Sequence, residues 1–198
     1  MKALCVYCGS SPGATPLYAE AACALAKELV NDNITLVYGG GNIGLMGVIA
    51  DEILRLGGEV TGVIPKALLD KEVGHTGLTR LHIVKDMHER KAMMAELSDG
   101  FIAMPGGIGT LEELFEVLTW SQLGLHEKPI GLLNALGFYD GLTQFIRHLV
   151  TERFLRAEQA ALLMYENDAA ALMARFKSYQ PRVHPTILDP AEAKKLVP

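Results

Sequence analysis

Phe101-Ile102-Ala103-Met104-Pro105-Gly106-Gly107-Ile108-Gly109-Thr110-Leu111-Glu112-Glu113-Leu114-Phe115 is the stretch that decides the fold. Its first four residues form a continuous apolar run, as in a strand buried on both faces. A proline and three glycines follow. Leu111, Leu114, Phe115 and Leu118 then recur at i, i+3, i+4 and i+7, the stripe of an amphipathic helix over residues 111–123. The glycines let the chain turn tightly and bring backbone close to a ligand, and the helix start offers unpaired N–H groups.

The same alternation repeats on both sides of this stretch. Apolar runs predict strands over 3–8, 34–37, 59–64, 81–84, 101–104, 130–133 and 162–165. Helical spacing predicts helices over 16–30, 45–56, 87–97, 111–123, 139–150 and 169–177. Strand then helix, repeated, means right-handed crossovers: an α/β, Rossmann-like doubly wound fold, with a mostly parallel sheet flanked by helices on both faces. Residues 1–178 read as a single nucleotide-binding domain. Residues 179–198 read as an irregular tail with a short helix around 191–196.

Composition narrows the partners. The chain has 198 residues, 49% apolar and 21% charged, with a formal charge of −5. The negative balance argues against a nucleic-acid polymer or an anionic membrane, while a small phosphorylated ligand needs only a local positive site. No window approaches about 18 uninterrupted apolar residues, so no membrane-spanning helix is expected. The N-terminus reads as a strand rather than a signal peptide. Three cysteines do not suggest a disulfide framework, so a cytoplasmic location is expected.

Ligands of an open parallel sheet bind beyond the carboxyl ends of its strands. Three predicted strands end in loops suited to anions: Gly9-Ser10-Ser11-Pro12-Gly13, Gly39-Gly40-Gly41-Asn42-Ile43-Gly44, and Pro105 to Thr110. Together they point to a phosphate or nucleotide site rather than to three tight turns. Gly39, Gly41 and Gly44 also satisfy G-x-G-x-x-G. The acidic residue that a dinucleotide site needs is misplaced, because Glu59 begins the next strand instead of ending it. NAD and FAD are disfavoured accordingly.

Two segments carry candidate chemistry. Thr110-Leu111-Glu112-Glu113 reads first as a capping box, with Thr110 at N-cap and Glu113 reaching back from N3. The same Glu113 stands beside an anion site, where a carboxylate can act as general base or stabilise a developing cation. Glu112 lies about 100° around the helix, so both cannot face one point. Met87-His88-Glu89-Arg90-Lys91 places cations at a helix start, unfavourable unless an anion answers them. The plainer alternative is a solvated face with Arg90 and Lys91 paired locally to Asp86 or Glu89. Cys5 and Cys8 form a C-x-x-C inside a strand, where opposite parity sends them to opposite faces, so neither a redox pair nor a metal site is expected. The histidines have no metal-ligand spacing, and Trp120 with Phe115 reads as core packing.

Pro105 through Glu113 fits a P-G-G-x-G-T-x-x-E signature, and Met87 through Lys91 fits M-x-x-R-K. With Cys8-Gly9-Ser10, Tyr38 through Gly47, and Thr119 through Gly124, these motifs resemble the Lonely guy (LOG) family of cytokinin riboside 5′-monophosphate phosphoribohydrolases, over residues 3–166. The resemblance implies hydrolysis of the N-glycosidic bond of a cytokinin nucleotide or AMP, with no metal or organic cofactor, by a homodimer or larger assembly. It implies Arg90 and Glu113 as the catalytic pair. It implies substrate contacts at Glu72, Arg90, Lys91, Gly107, Ile108, Gly109, Thr110, Leu111, Glu112, Glu113 and Thr119, and help from Ser10, Gly40 and Gly41. The proton for the leaving base could come from solvent, or Arg90 could polarise the base or fix sugar and phosphate. A carrier of a molybdopterin-type cofactor is the rival reading: it would need the loops but not the Arg90–Glu113 pair.

Overall fold

A computed structural model describes residues 1–70 and 74–181. Its seven strands are β1 (Ala3–Tyr7), β2 (Thr35–Tyr38), β3 (Val60–Pro65), β4 (Arg80–Val84), β5 (Phe101–Ala103), β6 (Ile130–Leu133) and β7 (Leu163–Glu166). All pair in parallel, in the order β4-β3-β2-β1-β5-β6-β7. The chain starts at the centre of the sheet, walks out through β4, and returns beside β1 as β5. The strand order therefore reverses between β1 and β5, the crevice where such sheets hold ligands.

The helices are α1 (Leu17–Asn31), α2 (Gly44–Arg55), α3 (Lys66–Leu69), α4 (Met87–Glu96), α5 (Ile108–Leu123), α6 (Asp140–Thr151), α7 (Ala157–Ala160) and α8 (Ala169–Lys177). They cover both faces. Leu25 and Leu29 of α1, Ile49 and Ile53 of α2 and Leu172 of α8 pack one face against Leu4, Val6 and Cys8. Met94 of α4, Leu114 and Val117 of α5 and Ile146 of α6 pack the other against Cys5 and Tyr7. Cys5 and Cys8 thus lie on opposite faces, as parity requires. Each such fully buried Leu or Ile contributes about 1.5–3 kcal/mol of transfer free energy, so the two cores drive the folding of the sheet.

The periodicity reading finds every strand and every long helix. It misses α3, α7 and a 3-10 turn, Ala135–Gly137. Each is about one turn long, too short to show a period. Among the described residues no helix is long and apolar enough to cross a membrane. The short helix expected around 191–196 lies outside the described residues.

One correction bears on the site. Helix α5 starts at Ile108, three residues before the expected position, with Gly107 at N-cap and no side-chain cap. Thr110 is therefore inside the helix, and the capping box does not form. Close packing explains the shift. A Cβ on Gly106 would come within 2.2 Å of the Thr110 hydroxyl, so glycine there lets the buried threonine fold down onto the loop.

Candidate active site

The three glycine loops meet at the reversal. Gly9 N–H donates to Pro105 O at 3.0 Å, and Leu45 N–H donates to Gly9 O at 3.0 Å. Gly44 presses against the first loop: a Cβ there would lie 2.3 Å from the Ser10 carbonyl carbon, and its φ of +59° is left-handed. Two buried phenols fix the loops from below. Tyr38, at the end of β2, donates to Gly41 O at 3.0 Å, and Tyr139 donates to Met104 O at 2.6 Å. Between the loops lies a cavity of about 280 Å³, bordered by Gly9, Ser10, Leu45, Gly106 and Gly107. The α5 N-terminus opens here without a side-chain cap or a first-turn acidic residue, so its N–H groups and positive dipole end suit an anion.

Arg90 and Glu113 approach from the α4–α5 side. Asp86 caps α4 by accepting from His88 and Glu89 N–H, both at 3.0 Å. That cap sets the first turn and carries Arg90 inward. Its Nη1 donates to Glu113 Oε1 at 3.0 Å and its Nε to Val63 O at 3.2 Å, and both residues of the pair are only 9% exposed. Gly39 makes the space, since a Cβ there would sit 2.0 Å from Nη2 of Arg90. Burial raises the Glu113 pKa above the usual carboxylate value, and the Arg90 charge only partly offsets it. The result is a carboxylate of more than ordinary basicity.

Lys91 turns to different partners. Its Nζ donates to Glu112 Oε1 at 2.6 Å and to Glu116 Oε1 at 2.9 Å. Burial opposes its charge, but the two carboxylates raise its pKa above the ordinary lysine value. The anions that answer Arg90 and Lys91 are thus the protein's own, on α5. The solvated face with local pairs to Asp86 or Glu89 does not form, because both cations are buried between helices.

The other residues singled out from the sequence divide. Ser10, Gly107, Ile108, Gly109 and Thr110 surround the mouth of the cavity or the adjoining helix start, with Ser10 and Ile108 exposed and Thr110 buried. A Cβ on Gly107 or Gly109 would meet open space, so neither glycine is required by packing within this chain. Leu111 is half-buried against the core and Glu112 is exposed. Gly40 and Gly41 are buried under the segment after residue 73: Gly40 O accepts from His75 N–H at 2.9 Å, and Gly41 bridges Gly74. Thr119 is exposed, about 13.5 Å up α5 from Thr110 by helical rise, and its hydroxyl donates to Phe115 O. It does not join the glycine loops. Phe115 is exposed rather than in the core, while Trp120 does pack against it. Glu72 lies outside the described residues. Tyr38, Tyr139 and the loop after β6 escape a search for anion-binding glycines.

A family model described as "Possible lysine decarboxylase" matches residues 46–176. The chain is 48% identical over 180 residues to cytokinin riboside 5′-monophosphate phosphoribohydrolase LOG5 of Arabidopsis thaliana, covering 91% of this chain and 79% of that protein. It is also 48% identical over 180 residues to the phosphoribohydrolase LOG of Oryza sativa subsp. japonica, covering 91% and 74%. The chain belongs to the LOG family. The fold itself is shared with more distant structures. A molybdenum cofactor carrier protein from Chlamydomonas reinhardtii superposes with a TM-score of 0.68 at 19% identity, covering 89% of this chain and 96% of the carrier. The structure titled TM1055 superposes at 0.69 and 20% identity, covering 90% and 100%. At such identities the likeness concerns the fold alone.

Proposed function

We propose that this chain hydrolyses the N-glycosidic bond of a nucleoside 5′-monophosphate, a cytokinin riboside 5′-monophosphate or AMP, to free base and ribose 5-phosphate. The observation that carries the reading is the buried Arg90–Glu113 pair beside three converging glycine loops. The names of relatives 48% identical over 91% of the chain agree with it. The loops and the α5 N-terminus hold the phosphate with backbone donors. As the C1′–N bond breaks, its electron pair leaves with the base, and the ribose gains oxocarbenium character. Glu113, as carboxylate, stabilises that cation and takes a proton from the attacking water. Water oxygen bonds to C1′, and the departing nitrogen gains a proton from solvent. Arg90 holds the Glu113 carboxylate in place and presents its guanidinium to the substrate. No step calls for a metal or an organic cofactor.

The same proposal includes a homodimer, in the cytoplasm. Phe115 and Ile108 are apolar and exposed on α5, on the face that carries Thr119, and this supports a second copy completing the substrate contacts there. A product assay tests the reading. Incubation with AMP and with isopentenyladenosine monophosphate is expected to release free base and ribose 5-phosphate in equal amounts. Release from neither substrate, with tight binding of a phosphorylated pterin, would select the carrier alternative.

A further inference from the structure

The second glycine loop has several tasks at the site: Gly39 makes room for Arg90, and Gly44 presses on Ser10. Residues 39–43 belong to neither β2 nor α2, so their position depends on single contacts rather than on a ladder. From one side Tyr38 donates to Gly41 O at 3.0 Å. From the other, His75 N–H donates to Gly40 O at 2.9 Å, and Gly74 bridges Gly41 antiparallel. The His75 ring is itself tied twice. Gly77 N–H donates to its Nδ1 at 3.0 Å, and its Nε2 lies 2.9 Å from Asp51 Oδ1. A backbone N–H can only donate, so Nδ1 accepts, and Nε2 carries the proton that it donates to Asp51. Glycine at 77 lets the ring fold back, since a Cβ there would lie 3.2 Å from the ring carbon Cε1. Asp51 belongs to α2, about two turns beyond Gly44, where the loop ends. The contacts close a circuit: from the loop along α2 to Asp51, across to His75, and back to Gly40.

We propose that His75, held by Asp51, is a positioning residue that sets the second glycine loop where Gly40 and Gly41 receive the nucleotide. The inference rests on the nucleotide reading above. Stability alone does not explain the circuit. The His75 side chain is 11% exposed, but that of Asp51 is 73% exposed, and a contact so open to water adds little to the fold. What the contact does is fix the ring, and with it the His75 N–H, over Gly40. The chemical step is insulated from it, because Arg90 is anchored separately, through Val63 O and Glu113. Loss of the circuit therefore weakens nucleotide binding and leaves the bond-breaking step nearly intact.

Asp51→Ala in the full chain tests this, because it removes only an exposed side chain. Calorimetric titration with AMP is read beside steady-state base release, melting temperature and hydrogen exchange over residues 39–46. KM and Kd for AMP are expected to rise about tenfold and kcat to stay within about twofold. The melting temperature should move by less than about 2 °C, while exchange over the loop quickens. Asp51→Asn keeps an acceptor for the Nε2 proton and should restore the wild-type values. His75→Leu, which has neither ring nitrogen, should match Asp51→Ala or exceed it. Wild-type KM in folded Asp51→Ala, or a loss confined to melting temperature and kcat, overturns the inference; base release by wild type would then leave the hydrolase reading standing. AMP affinity that Asp51 controls, without base release from any form, would do the reverse. Failure of wild type to bind AMP or to release base would end both.

Discussion

Arg90 with Glu113, and Lys91 with Glu112 and Glu116, are neighbouring ion clusters on the same two helices, with adjacent residues on each helix going to different clusters. The first is one cation against one carboxylate, each 11% exposed at the side chain, wedged against Val63 and Gly39. The second is one buried cation against two carboxylates, the outer of which, Glu112, is 52% exposed. The 100° step between adjacent helical residues separates them. The inner pair is dry, and its carboxylate is pushed toward higher pKa. The outer cluster is solvated on its carboxylate side, and its excess negative charge holds a lysine. Chemistry is expected from the first and helix-to-helix anchoring from the second.

The largest effect expected of any break in this contrast is at Glu113. Glu113→Gln keeps the shape and removes the charge, so turnover should fall by at least about 100-fold, the scale of a lost general base or electrostatic stabiliser. Nucleotide should still bind, read by calorimetry. Near-normal turnover would reduce Glu113 to a structural partner of Arg90. Next comes Gly39→Ala, which leaves both charged residues in the sequence and acts on the position of one. Its Cβ would lie 2.0 Å from Arg90 Nη2, so the guanidinium must move. A displacement of an ångström costs about 100-fold where geometry is critical, so a loss of about 10- to 100-fold is expected in kcat. An unchanged kcat would show that the position of Arg90 is not critical.

The pH dependence sharpens the same contrast more gently. Burial raises the Glu113 pKa above its ordinary 4.5. Between the ordinary and the raised value the folded chain holds a proton that the unfolded chain lacks, so this residue's contribution to stability declines as pH rises through that window. Activity needs the carboxylate and therefore rises through the same window. The acid limb of kcat/KM is expected above pH 4.5, while the melting temperature of wild type falls relative to Glu113→Gln over that range. Parallel slopes would mean that another group controls the acid limb.

Much of this is legible in the sequence. Several strands read as nearly continuous apolar runs, because a strand buried on both faces must be apolar throughout, whereas the edge strands β4 and β7 expose part of their length. The convergence of the loops followed from parallel strands sharing one edge. What stayed hidden was contact between segments far apart in sequence. Thr110-x-x-Glu113 is a sound local cap pattern, yet Gly106 gave Thr110 a packing place and Arg90, 23 residues away, captured Glu113. Arg90 looked equally able to pair with Asp86 or Glu89, until packing put it between α4 and α5. Tyr38 and Tyr139 carried no local cue at all, since a tyrosine that ends a strand or precedes a helix reads as core whether or not its hydroxyl holds a loop.

The smallest effect is expected at Lys91, and it decides whether the two clusters differ in kind. Lys91→Gln leaves Glu112 and Glu116 one turn apart on α5 without their cation, a like-charged i, i+4 pair. Both can turn toward water, so the loss should be about 1 kcal/mol, or about 2–4 °C in melting temperature for a chain of this size. Adding Glu116→Gln removes the repulsion and should restore part of that loss, which a double-mutant cycle reads directly. Catalysis should drop by less than about tenfold, because an anchoring contact reaches the reacting atoms only through α5. A loss on the scale of Glu113→Gln, with the fold intact, would place Lys91 on the substrate as the family resemblance implies. The outer carboxylates would then be what holds it ready.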